Sequence, residues 1–326
     1  MLAFAVRRIA VSVPILLIST FIVFMLASLS GNPLTPLLTR NPPPPPETIA
    51  LEAERLRLNH PLLERYWMWL TGIFQGDFGP SVQSNLDIGA EVAARFLVTM
   101  RLIAVAMIVA LVLAVVIGVI SAVKQYSKTD YVATFLGFLF LAMPAFWLAI
   151  LLKQAGIEFN NAVDEQVIYT IGDSSVPPPE GFGARLADIA GHMILPTISL
   201  ALISYAAWSR YQRAAMLEVL NSDYVRLARA KGLSRRRVMV KHALRNALIP
   251  LTTVTALDLA SIISGAVVTE TVFQWRGMGD LLLTAIHSDD VYVVMAWLLV
   301  TASVVILFNL LADLLYAVLD PRIRYA

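Results

Sequence analysis

The chain has 326 residues, of which 58% are hydrophobic and 15% are charged, and its formal net charge is +2. A soluble domain averages about 45–50% apolar and 25% charged residues, so this composition excludes an ordinary soluble protein and indicates a polytopic membrane protein. The chain contains no cysteine, which excludes a disulfide framework, a thiolate metal site and a thiol nucleophile.

Six apolar runs are predicted to be transmembrane helices, because a span needs about 20 mostly apolar residues. They cover residues 9–29, 97–123, 131–152, 193–207 with an extension to 216, 247–268 and 291–319. The first run follows Arg7 and Arg8, as in a signal peptide, but it is too long and no A-x-A cleavage site follows, which predicts an uncleaved span. Pro144 lies inside the third run and predicts a kink there.

A long polar segment, residues 32–95, separates the first two runs. It contains a proline run at 42–46, which favours a stiff extended spacer. Two amphipathic helices are predicted after it, around 47–58 and 62–74. Trp67 and Trp69 fit a membrane interface and fit equally well the packing of a small extracytoplasmic subdomain.

The charges of the loops predict the orientation of the chain, since cytoplasmic loops carry an excess of lysine and arginine. Lys124 and Lys128 mark one cytoplasmic link, and Arg322 and Arg324 mark the tail. The link at 158–188 is acidic instead, with Arg185 as its only cation. Both termini are therefore predicted to be cytoplasmic, with residues 32–95 outside.

The stretch 223–250 is the most charged segment of the chain, with eight cations and Asp223 as its only acid. Ser222 or Asp223 can cap a short helix, and Gly232 can end it in the left-handed conformation. Ser234 can cap a second helix that runs toward Pro250. Two short helices joined at a glycine on a membrane surface are typical of a docking site for another protein.

Two other interpretations of this stretch compete with docking. A basic loop can simply follow the positive-inside rule and lie against anionic lipid, but that leaves the glycine and serine positions unexplained. A DNA-binding helix-turn-helix needs its own helical core, whereas both flanks here enter the membrane, so no nucleic-acid partner is predicted.

Motifs for catalysis and for nucleotide binding are absent from the sequence. No G-x-x-x-x-G-K-[ST], H-E-x-x-H or G-x-S-x-G occurs, and the four histidines lack the spacing of metal ligands. The chain is therefore predicted not to be an enzyme and to need neither cofactor nor metal. Active transport would draw its energy from another subunit or from an ion gradient.

The basic stretch resembles the cytoplasmic loop of permeases of binding-protein-dependent ABC importers. Ala228, Ala230, Gly232 and the end at 248–250 match that loop, while Arg226 stands where the family usually has an acid. Further matches make the chain similar to the B-type permease of oligopeptide, dipeptide and nickel ABC importers. They are Arg7-Arg8, Pro14, Gly31-Asn32-Pro33, Arg65-Tyr66, Trp69-Leu70, Gly76-Asp77-Phe78-Gly79, Thr269-Glu270-Thr271-Val272-Phe273 with Gly277 and Gly279, Asp313-Leu314-Leu315-Tyr316 and Asp320-Pro321-Arg322-Ile323-Arg324. Arg276 and Tyr292 stand where the family has prolines.

The resemblance implies an all-α polytopic membrane protein with six transmembrane helices and the type I ABC importer permease fold. Residues 1–96 would form the first helix and the extracytoplasmic segment, and residues 97–326 the permease domain with a cytoplasmic coupling loop at 217–246. It also implies a multi-pass protein of a prokaryotic cell membrane that forms half of a pathway for peptides. Its partners would be a second homologous permease, two cytoplasmic ATPase subunits, an extracytoplasmic substrate-binding protein and membrane lipid.

Two groups of residues are predicted to carry this function. The ATPase-coupling residues are Tyr224, Val225, Leu227, Ala228, Ala230, Gly232 and Ser234. Asp258, near the middle of the fifth run, either lines the translocation path or makes a structural hydrogen bond to a neighbouring span, because an intramembrane carboxylate avoids lipid. The alternative function is an ion-coupled secondary transporter that acts alone.

Overall fold

The computed structural model describes residues 2–319, so the family match at 320–324 lies outside the described residues. All regular elements in this part of the chain are helices, which confirms the predicted all-α class. They are α1 Leu2–Ser30, α2 Thr35–Leu38, α3 Pro46–Arg55, α4 Leu62–Ile73, α5 Ile88–Val123, α6 Lys128–Ala142, α7 Ala145–Val163, α8 Phe182–Leu220, α9 Asp223–Ala230, α10 Arg235–Arg237, the π-helix Val238–Leu244, α11 Arg245–Phe273, α12 Met278–His287 and α13 Val291–Leu319.

Four of the described helices, α1, α5, α8 and α13, are long and apolar enough to cross a membrane. The consecutive helices α6 and α7 add a fifth span if they are counted together. The chain is therefore a multi-pass membrane protein. The predicted run at 247–268 lies inside α11, which is not among these candidates, so the count of six remains a prediction.

The kink predicted at Pro144 is confirmed, and it is large enough to break the span. Helices α6 and α7 are bent by 109° at this point. Met143 is extended, with φ −76° and ψ 130°, because the ring of a following proline disfavours the helical region. Pro144 also has no N–H to continue the helical hydrogen bonds.

Residues Met100–Trp275 and 308–319 form one compact unit. In this unit the acidic link is shorter than the sequence indicates, because α7 reaches Val163 and α8 begins at Phe182. The intervening residues are anchored to their own unit. Gly172 N–H donates to the carbonyl of Phe273 across 2.9 Å, and Arg101 pairs with Asp173 at 2.9 Å.

Residues Leu2–Thr99 and Arg276–Leu307 form a second compact unit. Its core contains Phe24, Tyr66, Trp69 and Tyr292, and the Tyr66 hydroxyl lies 3.0 Å from the hydroxyl of Thr20 in α1. The two tryptophans of α4 have different environments. Trp69 is fully buried in the core, whereas Trp67 is 64% exposed, so only Trp67 is available to an interface.

Candidate functional site

Helix α9 is a short helix that begins and ends at the residues predicted from the sequence. Ser222 occupies the N-cap position with extended backbone, although its hydroxyl donates to the carbonyl of Val219 instead of capping the helix. At the other end Gly232 has φ +75°, as predicted. The N–H of Gly232 donates to Arg229 at 3.0 Å and that of Leu233 to Ala228 at 3.4 Å, which is the Schellman pair of bonds that closes a helix on a left-handed residue.

Helix α9 has an inner and an outer face. Val225 is fully buried and Ala228 is 6% exposed, and both belong to a core with Met216 of α8 and Val238 of the π-helix. These two residues are separated by three positions and so share one face. Both side chains therefore attach α9 to its own chain, and their part in coupling remains a prediction.

The outer face of α9 keeps the other predicted contact residues. Tyr224 is 43% and Leu227 is 56% exposed, and Ala230 is exposed beside them at the end of the helix. Gly232 and Ser234 are exposed as well. Five of the seven predicted coupling residues therefore lie on the surface of the unit.

The segment after Ser234 is continuous with the helix that holds the predicted fifth span. Ser234 is at the N-cap position of α10 without a side-chain cap, and the backbone is helical at both junctions of the π-helix, at Arg237 and Arg245. The helix does not stop near Pro250, which lies inside α11. Val225 and Ala228 therefore pack on a π-helix that runs directly into α11.

A buried ion pair, missed by the sequence reasoning, ties three helices together in the same unit. Arg213 of α8 donates two hydrogen bonds to the carboxylate of Asp130, each of 2.8 Å. Ser121 of α5 and the backbone N–H of Tyr126 also donate to that carboxylate. Asp130 is 3% exposed, and the donors compensate for the burial of its charge. The sequence signal for this ion pair was Asp130 itself, an acid beside the basic link that contains Lys124 and Lys128.

Asp258 of α11 also has a partner within its unit. Trp208 of α8 donates its indole N–H to the carboxylate across 2.7 Å, and Trp208 is fully buried. The structure therefore places Asp258 against a neighbouring helix, as the prediction of a structural hydrogen bond required. Asp258 is separate from the coupling residues, which cluster around α9.

The family model described as "Binding-protein-dependent transport system inner membrane component" matches residues 114–325, and the N-terminal model of the same kind of membrane component matches residues 1–86. The chain is 40% identical to the oligopeptide transport system permease protein OppB of Mycobacterium bovis, over 99% of both proteins. It is 37% identical to the oligopeptide permease protein AppB of Bacillus subtilis, over 100% of both.

A third relative is the dipeptide transport system permease protein DppB of Escherichia coli K12, with 36% identity over 100% of this chain and 99% of the relative. All three relatives match along the full length, so the likeness covers the regions around α9, Asp130 and Asp258 together. The chain belongs to the family of inner membrane components of binding-protein-dependent transport systems.

Proposed function

We propose that this chain is the transmembrane permease subunit of an ABC importer for peptides. The support for the cargo is that the full-length relatives are named as oligopeptide and dipeptide permeases. ATP hydrolysis takes place in separate subunits, and a substrate-binding protein delivers the peptide from outside. This chain forms half of the translocation pathway, and a second homologous permease forms the other half.

The observation that carries the coupling part of the proposal is the division of α9 into two faces. The outer face, with Tyr224, Leu227 and Ala230, provides the contact with an ATPase subunit, and the cations beside it contribute rim contacts and lipid anchoring. The inner face, with Val225 and Ala228, fixes α9 to the π-helix. Closure of the ATPase subunits would then move α9 and the beginning of α11 together.

We also propose an orientation of the chain in the membrane. The basic stretch lies on the cytoplasmic side with both termini, and residues 32–95 with the link at 164–181 lie outside. In this arrangement α9 and the substrate-binding protein act on opposite sides of the membrane. A defect in α9 should therefore leave substrate capture intact.

The direct test is reconstitution of the purified complex in proteoliposomes. The chain is co-expressed with its neighbouring permease and ATPase genes, and uptake of a radiolabelled tripeptide is measured with the binding protein outside. We expect uptake only with ATP on the ATPase side, and none with ATPase subunits made inactive. A complex that binds no ATPase would contradict the proposal.

The same vesicles separate the importer from an ion-coupled carrier. A carrier that acts alone would transport peptide without ATPase subunits and would stop when ionophores remove the ion gradients. Peptide uptake by the importer should be unaffected by ionophores and should require both the ATPase subunits and the binding protein.

A further inference from the structure

A cavity of about 600 Å³ lies between α6 and α8. Its wall combines aromatic, aliphatic and cationic side chains. They are Thr134, Phe138 and Leu141 of α6 and Ala207, Arg210, Tyr211, Arg213 and Ala214 of α8. The cavity is open to the surroundings of the chain, and neither the coupling residues nor Asp258 line it.

The two arginines of this wall have different environments. Arg213 is committed to Asp130 by two hydrogen bonds. Arg210 is exposed, and its guanidinium carbon lies 4.3 Å from the centre of the Phe138 ring. No carboxylate in the described residues is within ion-pair distance of Arg210. Its charge is therefore stabilised by the ring and remains free to take an anion.

Phe138 lies nearly three turns beyond the start of α6, and Arg210 lies nearly three turns before the end of α8. Phe138 follows the first residue of α6, Lys128, by ten residues, which is about 15 Å at the rise of an α-helix. Side chains of α8 lean toward its N-terminus, so Arg210 points toward that level and away from the end of α8 at Leu220. Arg210 and Phe138 thus lie within the lengths of candidate spans, the helix α8 and the pair formed by α6 and α7.

An exposed cation within a span faces water or protein and avoids lipid, because a lipid-facing arginine is costly. In a chain that forms half of a pathway, the pathway is a surface that offers water within the membrane. The contact with Phe138 involves the guanidinium carbon, and the N–H groups of Arg210 make no hydrogen bond to the described residues. These groups match a carboxylate, which accepts two parallel hydrogen bonds.

We propose that Arg210 lines the translocation pathway and binds the side-chain carboxylates of acidic peptides in transit. This inference rests on the proposed function. The hydroxyls of Thr134 and Tyr211 lie on the same wall and offer further polar contacts. Because the site is open, the pairing is weak and transient, as passage requires: a binding site inside a conduit must release what it takes.

The test compares three tripeptides that differ only in the middle residue: Ala-Glu-Ala, Ala-Gln-Ala and Ala-Lys-Ala. Uptake is measured in proteoliposomes of the whole complex with the parent permease and with the Arg210→Gln and Arg210→Lys variants. Each rate is divided by the parent's rate for the same peptide, so the preference of the binding protein cancels. We expect Arg210→Gln to lower kcat/KM for Ala-Glu-Ala about fivefold more than for Ala-Lys-Ala, the size of an exposed ion pair. Arg210→Lys should retain most of the difference between the peptides.

Equal losses for all three peptides, with the complex assembled normally, would overturn the proposal and assign Arg210 to packing or to a carboxylate of the partner permease. Unchanged uptake would overturn it as well. If the parent complex transports none of the peptides, the proposed function fails. If the parent complex transports the peptides and Arg210→Gln lowers the uptake of all three equally, only the role of Arg210 is contradicted and the proposed function stands.

A second readout does not depend on transport. Because the chain has no cysteine, Arg210→Cys introduces its only thiol. A water-soluble maleimide should label that thiol in the membrane-embedded complex, and an excess of Ala-Glu-Ala should slow the labelling. Val13→Cys, on the exposed apolar surface of α1, is the control and should remain unlabelled. Failure to label Arg210→Cys would contradict an aqueous pathway at this position.

Discussion

The indole N–H of Trp208 donates to the carboxylate of Asp258 across 2.7 Å and thereby joins α8 to α11. In the predicted fifth span a carboxylate costs about 2.5–3.5 kcal/mol on insertion scales, and a hydrogen bond to a charged group contributes about 1.5–3 kcal/mol. The contact therefore offsets much of the cost of placing Asp258 there. A structural role is supported by this geometry, and a role in reading the charge of the cargo needs a separate test.

A double-mutant cycle between these two residues tests the structural role. We expect Trp208→Phe to lower the stability of the complex by about 1–3 kcal/mol, because it leaves the carboxylate without its donor. Asp258→Asn keeps an acceptor oxygen and should cost less. In thermal unfolding of the detergent-solubilised complex, the two effects should be non-additive. Additive costs would mean that the hydrogen bond contributes nothing.

Uptake of cationic and neutral peptides by Asp258→Asn tests the other role, in which Asp258 recognises the charge of the cargo. Equal losses for the two kinds of peptide would exclude that role.

The ion pair between Arg213 and Asp130 gives a second stability prediction. Arg213→Gln leaves a buried carboxylate without its cation, which costs about 3–5 kcal/mol in a fully buried pair. Since the Arg213 side chain keeps 29% exposure, we expect a loss at the lower end of that range. The double variant Arg213→Gln with Asp130→Asn should recover part of it. Arg210→Gln is the matched control, and its unfolding temperature should stay close to that of the parent. A similar loss in the control would show that any arginine change at this end of α8 is destabilising.

The sequence predicted those features that depend on a few neighbouring residues. The break at Pro144 follows from the ring of one residue, and the end of α9 follows from Gly232, whose left-handed backbone closes the helix whatever surrounds it. The partners of Asp130 and Asp258 could not be predicted, because they are distant in sequence and no pattern specifies which helices meet. The burial of Val225 and Ala228 was not predicted, since small apolar residues on a basic helix fit a partner's groove and the chain's own core equally well.

The buried carboxyl of Asp290 predicts a pH dependence of stability. Asp290 is 4% exposed and accepts hydrogen bonds from Ser81 Oγ at 2.5 Å and from the N–H of Val82 at 2.9 Å. Burial raises the pKa of this carboxyl in spite of these donors. The folded chain therefore binds a proton more tightly than an unfolded aspartate with a pKa of about 3.9. The contribution of Asp290 to the free energy of unfolding falls as pH rises from there through the raised pKa.

The measurement for Asp290 is thermal unfolding of the purified chain between acidic and neutral pH, in parallel with Asp290→Asn. The free energy of unfolding of the parent minus that of Asp290→Asn should fall as pH rises through the acidic range. At neutral pH this difference should be constant. Other carboxyls titrate in both proteins, so their effects cancel in the difference. A difference that is flat over the whole range would contradict the raised pKa.

The proposed orientation predicts the side of four loop positions. Reporters fused after Leu58 or Ser174 should be outside, and those fused after Ser127 or Ser234 should be inside. The reason is the segregation of cations into the links around 124–128 and 223–250. Paired reporters that are active on opposite sides of the membrane give the readout. An external signal after Ser234 would contradict both the orientation and the contact of α9 with a cytoplasmic ATPase.

Gly232 provides the sharpest test of coupling. Its φ is +75°, and a Cβ added there would meet no atom of the chain within 4 Å. A substitution therefore costs only backbone energy within the chain, about 1–2 kcal/mol for a residue other than glycine or asparagine. We expect Gly232→Leu to insert normally but to lose ATPase subunits during purification and to lose uptake, because the angle between α9 and the helix leading into α11 is disturbed. Binding of peptide by the external protein should be unchanged.

Two matched variants separate the causes of such a loss. Asparagine tolerates the left-handed conformation, so Gly232→Asn should retain ATPase subunits and most of the uptake if the backbone angle is what matters. If Gly232→Asn fails as well, the partner itself occupies the space beside the glycine.

Gly181 provides the second control. It also has a positive φ, +89°, and open surroundings, but it lies at the start of α8, at the other end of that helix from α9. Gly181→Leu imposes at least as much backbone strain, because φ 89° with ψ 147° is nearly restricted to glycine, but it does not touch α9 and should transport. Loss of transport in Gly181→Leu together with Gly232→Leu would attribute both defects to general strain, whereas normal uptake by Gly232→Leu would remove α9 from the coupling path.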